Sequence, residues 1–67
     1  MFKVYYTDSI GQKILIGTSD NELEALNIVQ EDAKKKFIKI ADGHRDENGF
    51  FIFTDRNGND LGYSVEV

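Results

Sequence analysis

Residues 19–37 read SDNELEALNIVQEDAKKKF and contain the clearest helix signal in the chain. Ser19 and Glu22 have the spacing of a capping box, in which each side chain bonds the backbone N–H of the other residue. The early turns are acidic and the last turn carries three lysines, an arrangement that complements the helix dipole. The apolar residues that recur at helical spacing, with Ile28 on their flank, are Leu23, Leu26, Val29, Ala33 and Phe37. We therefore predict a helix that starts at Ser19 and packs this stripe on a sheet.

Alternation of apolar and polar residues on both sides of this helix predicts the strands of that sheet. Two β-rich segments precede the helix and should pair as an antiparallel hairpin. A third strand follows the helix directly, and a right-handed crossover would make it parallel to its predecessor. The predicted strands are 2–7, 13–17, 37–41, 50–54 and 61–67. The predicted fold class is α+β: ββαβββ order, a mostly antiparallel sheet, and one amphipathic helix on one face.

Composition predicts a single small domain over residues 1–67 and excludes several classes of protein. The chain has 67 residues, of which 40% are hydrophobic, and it contains no proline and no cysteine. This length suits one small core, and the apolar content argues against disorder. A chain without cysteine forms no disulfides, so we expect a cytoplasmic location. The longest apolar runs are far shorter than a membrane span, and the net charge of −4 disfavours a broad footprint on DNA or anionic lipid.

The face of the sheet that the helix leaves uncovered is the most informative feature for function, because one helix covers only one face. Strand alternation predicts a mildly basic helix-free face with an apolar centre and a lysine rim. The predicted partner-binding residues are Tyr5, Leu15, Phe51 and Phe53 at the centre and Lys3, Lys13 and Lys39 at the rim. The run from Phe50 to Phe53 has no polar position, which indicates that both sides of this strand are covered. A register error of one residue would place Phe50 and Ile52 on this face instead.

Three arrangements would explain an apolar helix-free face. The loop predicted at 42–49 could fold over it, a partner protein or a second copy could pack on it, or single-stranded nucleic acid could stack on its rings. Stacking would use Tyr5, Phe51 and Phe53, with lysines tracking the phosphates. The acidic total and the presence of only two arginines weigh against nucleic acid.

We therefore predict a non-catalytic binding module that docks another protein, or itself as a homodimer, through the helix-free face. Small size and acidity suggest, by analogy alone, a phage-type or accessory regulatory factor. A further alternative is an acidic mimic of nucleic acid that binds a basic partner. The carboxylates that would form this mimic are Glu24, Glu31, Asp32, Asp42, Asp46 and Glu47.

Two polar segments have ligand spacing but are better explained without a metal. Asp42, His44 and Asp46 would point to one side of an extended segment, yet Gly43 indicates a solvated loop. Residues 55–60 resemble the start of an EF-hand calcium loop, but the required glycine is replaced by an aspartate and Asn-Gly is a strong hairpin signal. No nucleophile motif, phosphate-binding loop or paired-carboxylate cleft is recognisable, so we expect no catalysis, cofactor or metal.

Overall fold

A computed structural model describes residues 1–67 and confirms the α+β fold. The elements are β1 (Phe2–Thr7), β2 (Lys13–Ser19), α1 (Glu22–Lys35), β3 (Asp42–Arg45), β4 (Phe51–Thr54) and β5 (Asp60–Glu66). The five strands lie in the order β2-β1-β5-β4-β3, and every neighbouring pair is antiparallel. The predicted ββαβββ order and the hairpin of β1 with β2 are confirmed.

Helix α1 begins at Glu22, later than the predicted start at Ser19. Its N-cap is Asn21, whose side-chain oxygen accepts a hydrogen bond from the Glu24 N–H at 2.8 Å. Ser19 still belongs to β2, where it pairs with Phe2. The predicted capping box is therefore wrong: the Ser19 hydroxyl donates to the Asn21 carbonyl at 2.8 Å and stabilises the turn before the helix.

The helix packs on one face of β1, β2 and β5 through small and β-branched side chains. The buried core consists of Val4, Ala25, Val29, Ala33, Phe53, Tyr63 and Val65. Gly17 in β2 permits a close approach, because a Cβ there would lie 3.1 Å from Ile28 Cδ1. The predicted stripe is correct at Val29 and Ala33 but wrong at its ends, since Leu23 is 71% exposed and Phe37 is 95% exposed.

The strand predicted at 37–41 does not form, because α1 ends in a Schellman motif. The Ile38 N–H donates to the Ala33 carbonyl at 2.9 Å, and the Phe37 N–H donates to the Lys34 carbonyl at 3.2 Å. Phe37 has a left-handed φ of 59°, which turns the chain away from the helix axis. β3 starts at Asp42 and pairs antiparallel with β4, so the predicted loop at 42–49 is half strand.

All three β-hairpins close with the same five-residue loop, which begins with aspartate and has glycine at its fourth position. The loops are residues 8–12, 46–50 and 55–59. In each loop one aspartate oxygen accepts the N–H groups of the third and fifth residues at 2.9–3.1 Å. The glycines have φ values of 86°, 82° and 83°. This hairpin type requires a left-handed backbone at its fourth position, and glycine adopts that conformation most readily.

The side chains of β4 face the opposite way from the prediction. Phe51 lies opposite the buried Val65, and Phe53 is itself a core residue with 6% exposure. The placement of Phe51 and Phe53 on the helix-free face is therefore wrong. The helix contacts β1, β2 and β5, so these two rings, 5.3 Å apart, fill the remaining part of its side of the sheet. Gly43 makes room for them, because a Cβ there would lie 2.6 Å from Phe51 Cε1.

Candidate functional site

The helix-free face carries a concavity of about 610 Å³ that runs across β1, β5 and β4. Phe50 and Ile52 supply its main apolar side chains, and Thr7 and Ser64 add hydroxyl groups. Four carboxylates and one lysine also line it: Asp8, Asp46, Asp60, Glu66 and Lys13. We call this surface the acidic concavity.

The carboxylates of the acidic concavity are held in place by the chain itself. Asp8 and Asp46 cap their hairpin loops through Oδ1, and Asp60 Oδ1 accepts the Gly62 N–H at 2.7 Å. Glu66 Oε2 accepts the Ser64 hydroxyl at 3.0 Å and lies 2.6 Å from Lys13 Nζ. The second oxygen of each carboxylate accepts no hydrogen bond from the chain. These oxygens are oriented acceptors for a cationic group from outside.

Four of the predicted partner-binding residues do lie on the helix-free face. Tyr5 is opposite Leu15, which is 52% exposed. Lys13 covers Tyr5, with its Nζ 4.4 Å from the ring centroid, and it is neutralised by Glu66. Lys3 is exposed, and its backbone lies opposite that of Glu66 in the β1–β5 ladder.

The other three predicted partner-binding residues lie elsewhere. Phe51 and Phe53 face the helix side of the sheet, and Lys39 follows the helix outside any strand. The three-ring stacking platform with Tyr5 is consequently not assembled. The mildly basic rim is also wrong, because Asp8 and Asp46 from two hairpin loops and Asp60 from the start of β5 line the concavity.

Phe50 and Ile52 are the site residues that alternation alone placed on the wrong side. A sequence signal for the correct register exists in the Asp-x-x-Gly spacing of Asp46 and Gly49. In this hairpin type the residue after the glycine closes the loop, so the strand begins at Phe51 rather than at Phe50.

A second polar cluster links the end of α1 to the centre of the sheet. The Tyr63 hydroxyl donates to Asp32 Oδ2 at 2.6 Å, and Lys36 pairs with the same oxygen. Lys36 Nζ also lies 4.1 Å from the Tyr6 ring centroid, and the Tyr6 and Tyr63 rings are 4.9 Å apart. Burial and the bond to Asp32 raise the pKa of Tyr63 well above its usual value. Burial opposes ionisation of Asp32, but the bonds from Lys36 and Tyr63 outweigh it and lower its pKa.

We expect Asp32 to make the protein less stable in acid. Its pKa is lower in the folded state than in the unfolded chain, where it is about 3.9. The stabilisation is therefore present above the unfolded pKa and is lost as pH falls through the folded pKa. Asp32→Asn should cost about 1–2 kcal/mol near neutral pH, and this cost should shrink at acidic pH.

Urea denaturation of wild type and Asp32→Asn across the acid range measures this difference. Glu31→Gln is the matched control, because Glu31 is the neighbouring exposed carboxylate and forms no ion pair. A cost of Asp32→Asn that stays constant from neutral to acidic pH would contradict the assignment.

Neither segment with metal-ligand spacing assembles a ligand cluster. Asp42, His44 and Asp46 follow one another along β3 and its loop, where Asp42 accepts the Gly43 N–H at 2.8 Å. No group of three or more histidine or acidic side chains converges anywhere in the described chain. Residues 55–59 form the β4–β5 hairpin loop, in which N–H groups from Asn59 and Asn57 lower the pKa of Asp55.

Comparison with protein-family models, curated proteins and solved structures yields no match. No helix has the length and apolar character needed to cross a membrane. The acidic concavity and the other surfaces of the fold are therefore the basis for a functional proposal.

Proposed function

We propose that the protein is a non-catalytic, cytoplasmic binding module that docks a partner protein through its helix-free face. The supporting observation is the acidic concavity, which Phe50 and Ile52 line together with four carboxylates, each with one oxygen that accepts no hydrogen bond from the chain. An apolar centre with a polar rim is the usual anatomy of a protein interface. The partner segment that fits this surface carries an arginine or lysine beside an apolar side chain.

Charge favours such a partner over the alternatives. Phosphate groups would approach four carboxylates and only one lysine, which is already paired, so nucleic acid is disfavoured here. A two-fold homodimer through this face would bring one acidic rim against its copy, a like-charge contact. Acidic mimicry is weakened because Asp32 is already bonded to Lys36 and Tyr63.

The proposal is tested by titrating ¹⁵N-labelled protein with two pools of short synthetic peptides in NMR experiments. The basic pool combines arginine and lysine with one leucine or phenylalanine, and the acidic pool replaces the basic residues with aspartate and glutamate. We expect the basic pool to shift amide signals of β4 and β5 around the acidic concavity. The binding should weaken as salt is added, because both partners are charged.

Ile52→Lys should weaken binding of the basic pool by about thirtyfold, the effect of losing roughly 2 kcal/mol at the centre of an interface. Leu23→Lys is the matched control: Leu23 is 71% exposed on the helix and lies outside the concavity. Circular dichroism checks that both variants fold, and sedimentation equilibrium checks for self-association. Absence of shifts with the basic pool, or unchanged binding by Ile52→Lys, would contradict the proposal.

A further inference from the structure

Phe37 combines two unfavourable features that no contact within the chain offsets. Its side chain is 95% exposed, the largest exposed fraction among the large apolar residues. Its backbone has a left-handed φ of 59° at the position after the helix where glycine is usually found. A strained and exposed aromatic residue is a reason to look for a function at that place.

An apolar groove of about 460 Å³ lies next to Phe37 in the chain. It is formed between residues 38–41 and the start of β5, and Ile38, Ile40 and Leu61 supply its apolar lining. Lys39 and Arg56 also line it. We call Phe37 together with this surface the Phe37 groove.

The charge around the Phe37 groove is opposite to that of the whole chain. Lys39 and Arg56 line the groove and form no ion pair, whereas Lys13, Lys36 and Arg45 each pair with a carboxylate. The one acidic residue lining the groove is Asp55, and its carboxylate accepts hydrogen bonds from Asn57 and Asn59 of its own loop. Two cationic side chains without an ion pair thus line a groove in a molecule whose net charge is −4.

We propose that the Phe37 groove is a second docking site, which binds an acidic protein segment carrying an apolar side chain. Lys39 and Arg56 match carboxylates, and the aliphatic lining matches one apolar side chain. Nucleic acid fits less well, since stacking of successive bases uses several rings and Phe37 is alone. The site goes beyond the proposed function: it has only Leu61 in common with the lining of the acidic concavity and selects the opposite charge.

The acidic peptide pool tests this site in the same NMR titration. We expect shifts in amide signals of residues 37–41 and 55–61, and weakening of at least tenfold in Phe37→Gly. Glycine suits the left-handed position, so this variant should unfold at a higher urea concentration than wild type. Loss of binding by a more stable protein separates a role in docking from a role in folding.

Charge-reversal variants provide the second readout. Lys39→Glu and Arg56→Glu should each weaken binding of the acidic pool by at least tenfold. Lys3→Glu is the matched control, since Lys3 is an exposed lysine without an ion pair on the helix-free face. Ile52→Lys should leave binding of the acidic pool unchanged, and Phe37→Gly should leave binding of the basic pool unchanged. The proposal for each site is therefore tested independently of the other.

Three results would overturn the proposal. The first is the absence of shifts with the acidic pool, and the second is binding that Phe37→Gly does not weaken. The third is binding of oligothymidylate or of phosphatidylserine vesicles to the same residues in preference to the acidic pool, which would assign the groove to nucleic acid or to a lipid surface.

Discussion

Tyr63→Ala is expected to abolish cooperative folding at 25 °C. Tyr63 is fully buried, with 0% exposure, and its ring packs on Tyr6 in the layer between α1 and the sheet. Truncation of a buried aromatic residue to alanine costs about 3–5 kcal/mol. A domain of 67 residues has a total unfolding free energy of about 3–10 kcal/mol, so this loss removes much or all of it.

The comparison with Tyr63→Phe separates the ring from its hydroxyl group. Phenylalanine keeps the ring, while Asp32 loses one donor but retains Lys36. We expect a loss of about 1–3 kcal/mol, the range for a hydrogen bond to a charged group. Urea denaturation followed by circular dichroism measures both variants. A cooperative, near-wild-type transition in Tyr63→Ala would show that the Tyr63 ring does not organise this core.

The element order was predictable because it depends on signals that extend over many residues. Helix α1 has acidic early turns, a basic last turn and an apolar stripe over residues 19–37, and these signals agree with one another. The segment after the helix was misassigned because Ile38 and Ile40 alternate with Lys39 as in a strand. Both isoleucines do pack against the core. The chain turns at Phe37, however, and the left-handed position after a helix is usually occupied by glycine, so the sequence gives no sign of this turn.

The register of β4 could not be predicted from alternation, because a run of four apolar residues does not show which of them face the core. The Asp-x-x-Gly spacing, present at Asp8, Asp46 and Asp55, contains the missing information because it fixes where each loop closes. The predicted charge of the helix-free face was wrong for a different reason. Its carboxylates come from loops and strand ends distant in sequence, and only the folded sheet brings Asp8 and Asp46 to the same surface.

Gly62→Ala is expected to be the second most damaging of these substitutions. Gly62 has a φ of 87°, and a Cβ there would lie 2.6 Å from the Thr7 carbonyl oxygen, a backbone atom that no side-chain rotation can move. The left-handed conformation costs about 1–2 kcal/mol for a residue with a side chain, and forced displacement of packed groups adds about 1–3 kcal/mol. We expect a total loss of about 2–5 kcal/mol.

Gly58→Ala is the matched control for this prediction. Gly58 has a φ of 83°, yet a Cβ there would meet no atom within 4 Å, so it should show only the conformational cost of about 1–2 kcal/mol. The difference between the two variants in urea denaturation isolates the contact with Thr7. Because Asp60 accepts the Gly62 N–H, displacement of this strand should also weaken binding of the basic peptide pool by Gly62→Ala but not by Gly58→Ala. Equal stability losses would mean that β1 moves aside at Thr7 without cost, and the acidic concavity would then not depend on the close approach of β5 to β1.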